Sequence, residues 1–167
     1  QNMIDQFENL GTEYTLDLLK RFQLKNSELK EAMEYSRSLG LIPLCTPWDE
    51  ASVDILESFN VVGYKVASAD LTNHALLRYI ATTGKPMICS TGMATEEEIR
   101  DSINVLQGSA AQFVPLHCNS TYPAPFKDIN LNYLSRLRSL SGSLVGYSGH
   151  ERDINVSVGA VALGAKV

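Results

Sequence analysis

The chain has 167 residues, of which 44 % are hydrophobic, 8 % aromatic and 20 % charged. That length supports one ordinary core, and that balance excludes intrinsic disorder, a collagen-like repeat and a disulfide scaffold. With 19 acidic against 14 basic residues the formal net charge is -5, which argues against nucleic acid or an anionic membrane as main partner but permits a local cationic pocket.

In chain order, the first clear signal is a helix over 27–39. It opens on Ser27, places Glu28 and Glu31 early, aligns Leu29, Ala32, Met33 and Tyr35, and stops at Gly40. An apolar run predicts a strand over 41–45, followed by a helix over 49–59 and a strand over 63–67. A helix over 73–83 and a strand over 86–90 come next. The helix over 95–106 carries Glu96, Glu97 and Glu98 in its first turn, where acidic groups favour the helix dipole. Strands over 113–118 and 144–147 flank a helix over 130–140. The segment 155–164 is nearly all small and apolar, which predicts a buried helix, and another strand begins at Lys166.

Strands and helices thus alternate every ~20 to 30 residues, the rhythm of a parallel sheet built from β-α units. No linker or low-complexity tract divides residues 1–167, so one domain is expected. A closed (β/α)8 barrel needs about 250 residues, so the chain reads as about two-thirds of one, excerpted from a longer polypeptide. No apolar run reaches the ~20 residues of a bilayer span, since even 156–163 is interrupted by Ser157 and Gly159. No secretory signal is visible, so a cytoplasmic protein is expected. Cys45, Cys89 and Cys118 form no CxxC pair or zinc spacing and read as reduced core thiols.

In parallel β/α architectures ligands gather at the carboxyl ends of the strands. Those ends carry Thr46, Lys65, Ser68, Asp70, Ser90, Ser120, Tyr122, Ser148 and His150. Asp49 and Thr95 are equally well explained as helix caps. Lys65 and His150 cannot be caps. An ammonium inside an apolar strand is costly unless an anion meets it, and the surrounding hydroxyls suit phosphate or carboxylate oxygens. The plainer alternative is a Lys65–Asp70 pair. His150 can ligate a divalent metal, act as a base or simply donate to a loop carbonyl. His117, within an apolar strand, reads as a satisfied core histidine, and His74, at a helix start, as solvated. Nucleotide-loop, hydrolase and zinc-protease motifs are absent, leaving an enzyme that handles a small anion.

The segments Tyr64-Lys-Val-Ala-Ser-Ala-Asp70, Gly84-Lys-Pro-Met-Ile-Cys-Ser-Thr-Gly-Met-Ala-Thr95, Leu116-His-Cys-Asn-Ser-Thr-Tyr-Pro-Ala-Pro125 and Val145-Gly-Tyr-Ser-Gly-His150, in that order, closely resemble the sialic acid (N-acetylneuraminate) synthase family. The likeness runs from about Leu41 to the last residue. It implies a TIM barrel, present here from roughly the third to the seventh strand and the start of the eighth. The reaction it implies condenses phosphoenolpyruvate with N-acetylmannosamine and water, giving sialic acid and phosphate with Mn2+ or Mg2+.

By resemblance, Thr46, Lys65, Ser68, Ser90, Ser120 and Ser148 bind phosphoenolpyruvate and Tyr122 contacts the sugar. His150 is one metal ligand, and Asp70, where many members have Glu, joins Lys65 in catalysis. Gly149 and Trp48 stand where many relatives have Asp and Phe. The resemblance also implies a homodimer, an early Glu and Lys upstream, a second metal His downstream, and an antifreeze-like domain. The 167-residue chain alone is therefore expected to be inactive. The rivals are a legionaminate or pseudaminate synthase or a spore-coat-type polysaccharide biosynthesis protein, a non-catalytic barrel that binds an anionic sugar, and a lyase using Lys65 as a Schiff-base amine.

Overall fold

The computed structural model describes Tyr14 and residues 16–167. They fall into two compact units, divided between Leu41 and Ile42. In the first, helical residues 16–22 precede α1 (Asn26–Ser38). The Lys25 amide donates to the Glu28 carboxylate at 2.7 Å at the start of α1, and Gly40 leaves it at φ 78°, as its glycine predicts.

The second unit runs α2 (Glu50–Ser58), β1 (Tyr64–Val66), a 3-10 turn (Ser68–Asp70), α3 (His74–Thr82), β2 (Met87–Ser90), α4 (Glu96–Val105), β3 (Phe113–Cys118), a 3-10 turn (Phe126–Asp128), α5 (Tyr133–Ser141), β4 (Gly146–Ser148) and α6 (Asn155–Ala162). The four strands are parallel and ordered β1-β2-β3-β4, so each step along the sheet requires a helical crossover. Side-chain caps start α2, α3 and α4. Asp49 accepts from the Ser52 amide at 2.7 Å, Asn73 from Leu76 at 3.3 Å, and Thr95 forms a reciprocal box with Glu98. Asp49 and Thr95 are therefore caps.

One sheet face meets the helices. It carries Tyr64, Val66, Met87, Cys89 and His117, packed with the fully buried Leu77, Ile80, Ile99, Leu134 and Leu137. His117 donates from Nε2 to the Ile129 carbonyl at 2.5 Å and lies 5.6 Å from the Tyr133 ring, a satisfied core histidine as predicted. Burial raises the pKa of the Cys89 thiol and so keeps it protonated. At the amino end of β1, the Tyr64 hydroxyl and Lys85 both donate to Glu57, the latter at 2.6 Å. Burial pushes the Glu57 carboxyl up, but these donors outweigh it and hold it below its usual range.

Four expectations change. The strand over 41–45 shrinks to one bridge, Cys45 to Tyr64, because Pro43 has no N–H to offer a ladder. The strand expected from 144 starts at Gly146, although the tail does run beside it, with Lys166 donating to Val145 and Val167 accepting from Tyr147, both at 2.8 Å. The helix expected to be buried, α6, buries only Ala160, since it rests one stripe on β4 and leaves Ile154, Val158 and Val161 exposed. His74 is not simply solvated, because its Nε2 sits 3.3 Å from the buried Ser102 hydroxyl. No helix among the described residues is long and apolar enough to cross a membrane.

Candidate active site

Side chains alternate along a strand, so residues two apart share a face. On the face opposite the helices, this alternation carries past the strand ends and directs Lys65 and Ala67 from β1, Ser90 from β2, Cys118, Ser120 and Tyr122 from β3, and Ser148 and His150 from β4 to one rim. With Thr46, Ser68, Ala69 and Met93 they line a cleft of about 430 Å3. Eight of the nine residues singled out in the sequence meet there.

Asp70 is the exception. A 3-10 turn has three residues per revolution, so when Ser68 faces the cleft Asp70 is rotated away from it. Its Oδ1 accepts from Asn73 at 3.4 Å, and its Oδ2 is buried with no hydrogen-bond partner. The alternative pair does not form either, because Lys65 bonds elsewhere.

The Lys65 Nζ donates to the Val66 carbonyl at 2.8 Å and to the Ser90 hydroxyl at 2.7 Å. Among the described residues it meets no carboxylate and keeps a third N–H for a ligand. Ser90, having accepted, is left to donate its own proton. Ser68 accepts from the Gly92 amide at 3.1 Å, and its proton has only the Cys118 sulfur, 3.9 Å away, as acceptor. The hydroxyls of Thr46, Ser120 and Ser148 have no partner among the described residues. The cleft is thus a set of donors awaiting an acceptor, which is the chemistry of an anion site.

Burial depresses the pKa of the half-buried Lys65 ammonium. The unfolded chain therefore holds this proton to higher pH than the folded one, and stability rises with pH across the window just below the ordinary lysine value. Anion binding has the opposite sign, since it needs the charged form. Sulfate, which does not itself titrate in this range, is expected to bind fully at neutral pH and to be released as pH climbs through the depressed Lys65 value. Calorimetric titrations across alkaline pH would show this, and a Lys65→Met chain should give a flat, weak profile.

His150 donates from Nδ1 to the Asn119 carbonyl at 2.7 Å, which leaves the Nε2 lone pair free. The Tyr122 ring lies over this imidazole at 3.9 Å and 30°. A carbonyl holding the distal nitrogen is the usual support of a metal-ligating histidine. The described residues, however, gather no group of three or more His, Cys, Asp or Glu side chains, so they do not form a metal centre by themselves.

Sequence reasoning missed Ala67, Ala69, Met93 and Cys118. Two of these were readable from parity, because Ala67 follows Lys65 and Cys118 precedes Ser120 by two, whereas Ala69 lies in the 3-10 turn, where that period has ended. Met93 lies on a loop, where no period applies.

Residues 2–167 match the model of the NeuB family. The chain is 38 % identical over 158 residues to the N,N'-diacetyllegionaminic acid synthase of Campylobacter jejuni, covering 93 % of this chain and 47 % of that one. It is 34 % identical over 149 residues to the Homo sapiens N-acetylneuraminate-9-phosphate synthase, covering 89 % and 42 %. The N-acetylneuraminic acid synthetase of Leptospira borgpetersenii, solved with citrate, superposes with a TM-score of 0.89 at 30 % identity, covering 92 % of this chain and 54 % of that one. The chain spans about half the length of the relatives it matches.

Proposed function

The chain belongs to the NeuB family, and from that premise we propose that its cleft binds phosphoenolpyruvate within a protein that condenses it with N-acetylmannosamine and water to give sialic acid and phosphate. The observation that carries this reading is the meeting in one cleft of Lys65, without a carboxylate partner among the described residues, and the hydroxyls of Thr46, Ser68, Ser90, Ser120 and Ser148. Citrate in the Leptospira relative, a small carboxylate, is consistent with such a site.

Lys65, Ser68 and Ser90, with Thr46, Ser120 and Ser148, hold the phosphate and carboxylate oxygens and so present C3 of the enol to the aldehyde carbon. As that carbon–carbon bond forms, C2 becomes electron-poor and takes up water. The resulting tetrahedral carbon expels inorganic phosphate by C–O cleavage, and the donors that held the ester oxygens stabilise the departing charge. Tyr122, exposed beside His150, faces the acceptor. Asp70 lies off the cleft and is assigned the orientation of that sugar only through its position in the resemblance. For Mn2+ or Mg2+ the described residues offer the Nε2 of His150 alone, and further donors would come from outside them.

The same reading includes a barrel of which this parallel sheet is an arc, a cytoplasmic reaction and a homodimer. The test is phosphate release from phosphoenolpyruvate by the whole protein that contains this chain. Release dependent on N-acetylmannosamine is expected, and no release with any acetamido-sugar would sink the proposal. The 38 % identity to a legionaminic acid synthase makes 2,4-diacetamido sugars the necessary comparison. Preference for them would move the assignment to that sister reaction. The 167-residue chain alone is expected to bind phosphate without turnover.

A further inference from the structure

We propose that Gly92 is a positioning residue of the anion cleft: the missing side chain lets the loop after β2 give its amide to Ser68 while Cys118 and Ser120 close beneath it. The inference rests on the reading of the cleft as an anion site.

Thr91 fastens the loop in place. It is buried, and both its amide and its hydroxyl donate to the Leu116 carbonyl, at 3.1 and 2.9 Å. Gly92 is thereby held against the end of β3. A Cβ at this position would lie 2.6 Å from the Ser120 hydroxyl, 2.9 Å from the Cys118 sulfur and 3.1 Å from the Cys118 Cβ. Two of these separations are too short for real carbon contacts, so something must move. Cys118 cannot retreat, because its backbone pairs with Ser148 of β4.

Two responses remain, and both damage the site. The Ser120 hydroxyl and Cys118 sulfur, which line the cleft, can rotate into different positions there, or the loop can lift. Lifting breaks the 3.1 Å bond from the Gly92 amide to Ser68, and with it the constraint that fills one Ser68 lone pair and aims its proton, held only by the weak 3.9 Å contact to the Cys118 sulfur, along the cleft wall. Neither response touches the helix-facing core. Gly92 thus controls the shape of the cleft and the direction in which one of its hydroxyls donates.

The experiment is calorimetric titration of inorganic phosphate into the chain and its Gly92→Ala variant, with circular dichroism to confirm folding. An affinity loss of about tenfold or more is expected. In a Ser120→Ala background the tightest contact is gone and the Cys118 sulfur can turn into the space the hydroxyl vacates, so the same change should cost under about threefold. Equal binding by Gly92→Ala and the parent would overturn the proposal, as would an equal loss in both backgrounds, which would mean general disruption. Should Gly92→Ala not fold, recovery of a folded, phosphate-binding chain in the double variant supports the proposal and failure to recover overturns it. A parent chain that binds no phosphate would instead overturn the anion-cleft reading, and this inference with it.

Discussion

Replacing Lys65 with methionine should cost the chain about two orders of magnitude in phosphate affinity without lowering its folding stability. Charge-assisted hydrogen bonds each contribute ~1.5–3 kcal/mol, and Lys65 combines a free N–H with the polarisation of Ser90. Folding stability responds in the opposite direction. A half-buried ammonium with no carboxylate beside it among the described residues carries a desolvation cost that a thioether of similar length does not, and this favours the variant. Phosphate titrations and urea unfolding measure the two effects separately. A large loss of stability with intact affinity would make Lys65 a structural group and remove the centre of the proposed site.

The Gly146→Val change should destabilise the second unit by about 3 kcal/mol and disperse the cleft with it. Gly146 lies in β4 opposite Leu116 of β3. A Cβ there would overlap both the Val167 carbonyl and a methyl of Leu116. One side chain thus cannot fit without separating β4 from β3 or from the tail, and β4 carries Ser148 and His150. Valine is the better strand former, so local propensity predicts a gain where packing predicts a loss. Urea unfolding followed by circular dichroism decides between them. Unchanged or greater stability would mean that the tail does not sit against β4 as described.

Most of the cleft was legible because two periodic rules act together. Polar residues after apolar runs mark the carboxyl ends of parallel strands, and the period of two selects which of them share a face. Ser90, Ser120, Tyr122, Ser148 and His150 all obey both rules, and Lys65, inside β1, stood out as a charge in an apolar strand. Asp70 obeyed the first only. The turn between Ser68 and Asp70 exchanges a period of two for a period of three, and no composition signal announces that exchange. The strand over 41–45 failed for a related reason, since its apolar run was plain but the donor missing at Pro43 mattered more than hydrophobicity.

By itself the sequence determined the alternation of strands and helices, the core role of His117 and most residues of the rim, because each depends on spacing within a few neighbours. Only the tertiary structure decided which hydroxyls accept and which donate, that Lys65 stands without a counter-ion, that Asp70 turns aside, and that Gly92 and Gly146 have no room for a methyl group. Those properties arise between residues some 20 to 26 positions apart, such as Lys65 and Ser90, Ser68 and Gly92, Gly92 and Cys118, or Gly146 and Val167. A hydrogen bond or a steric contact is fixed by distance in space, and distance along the chain carries no record of it until the sheet has formed.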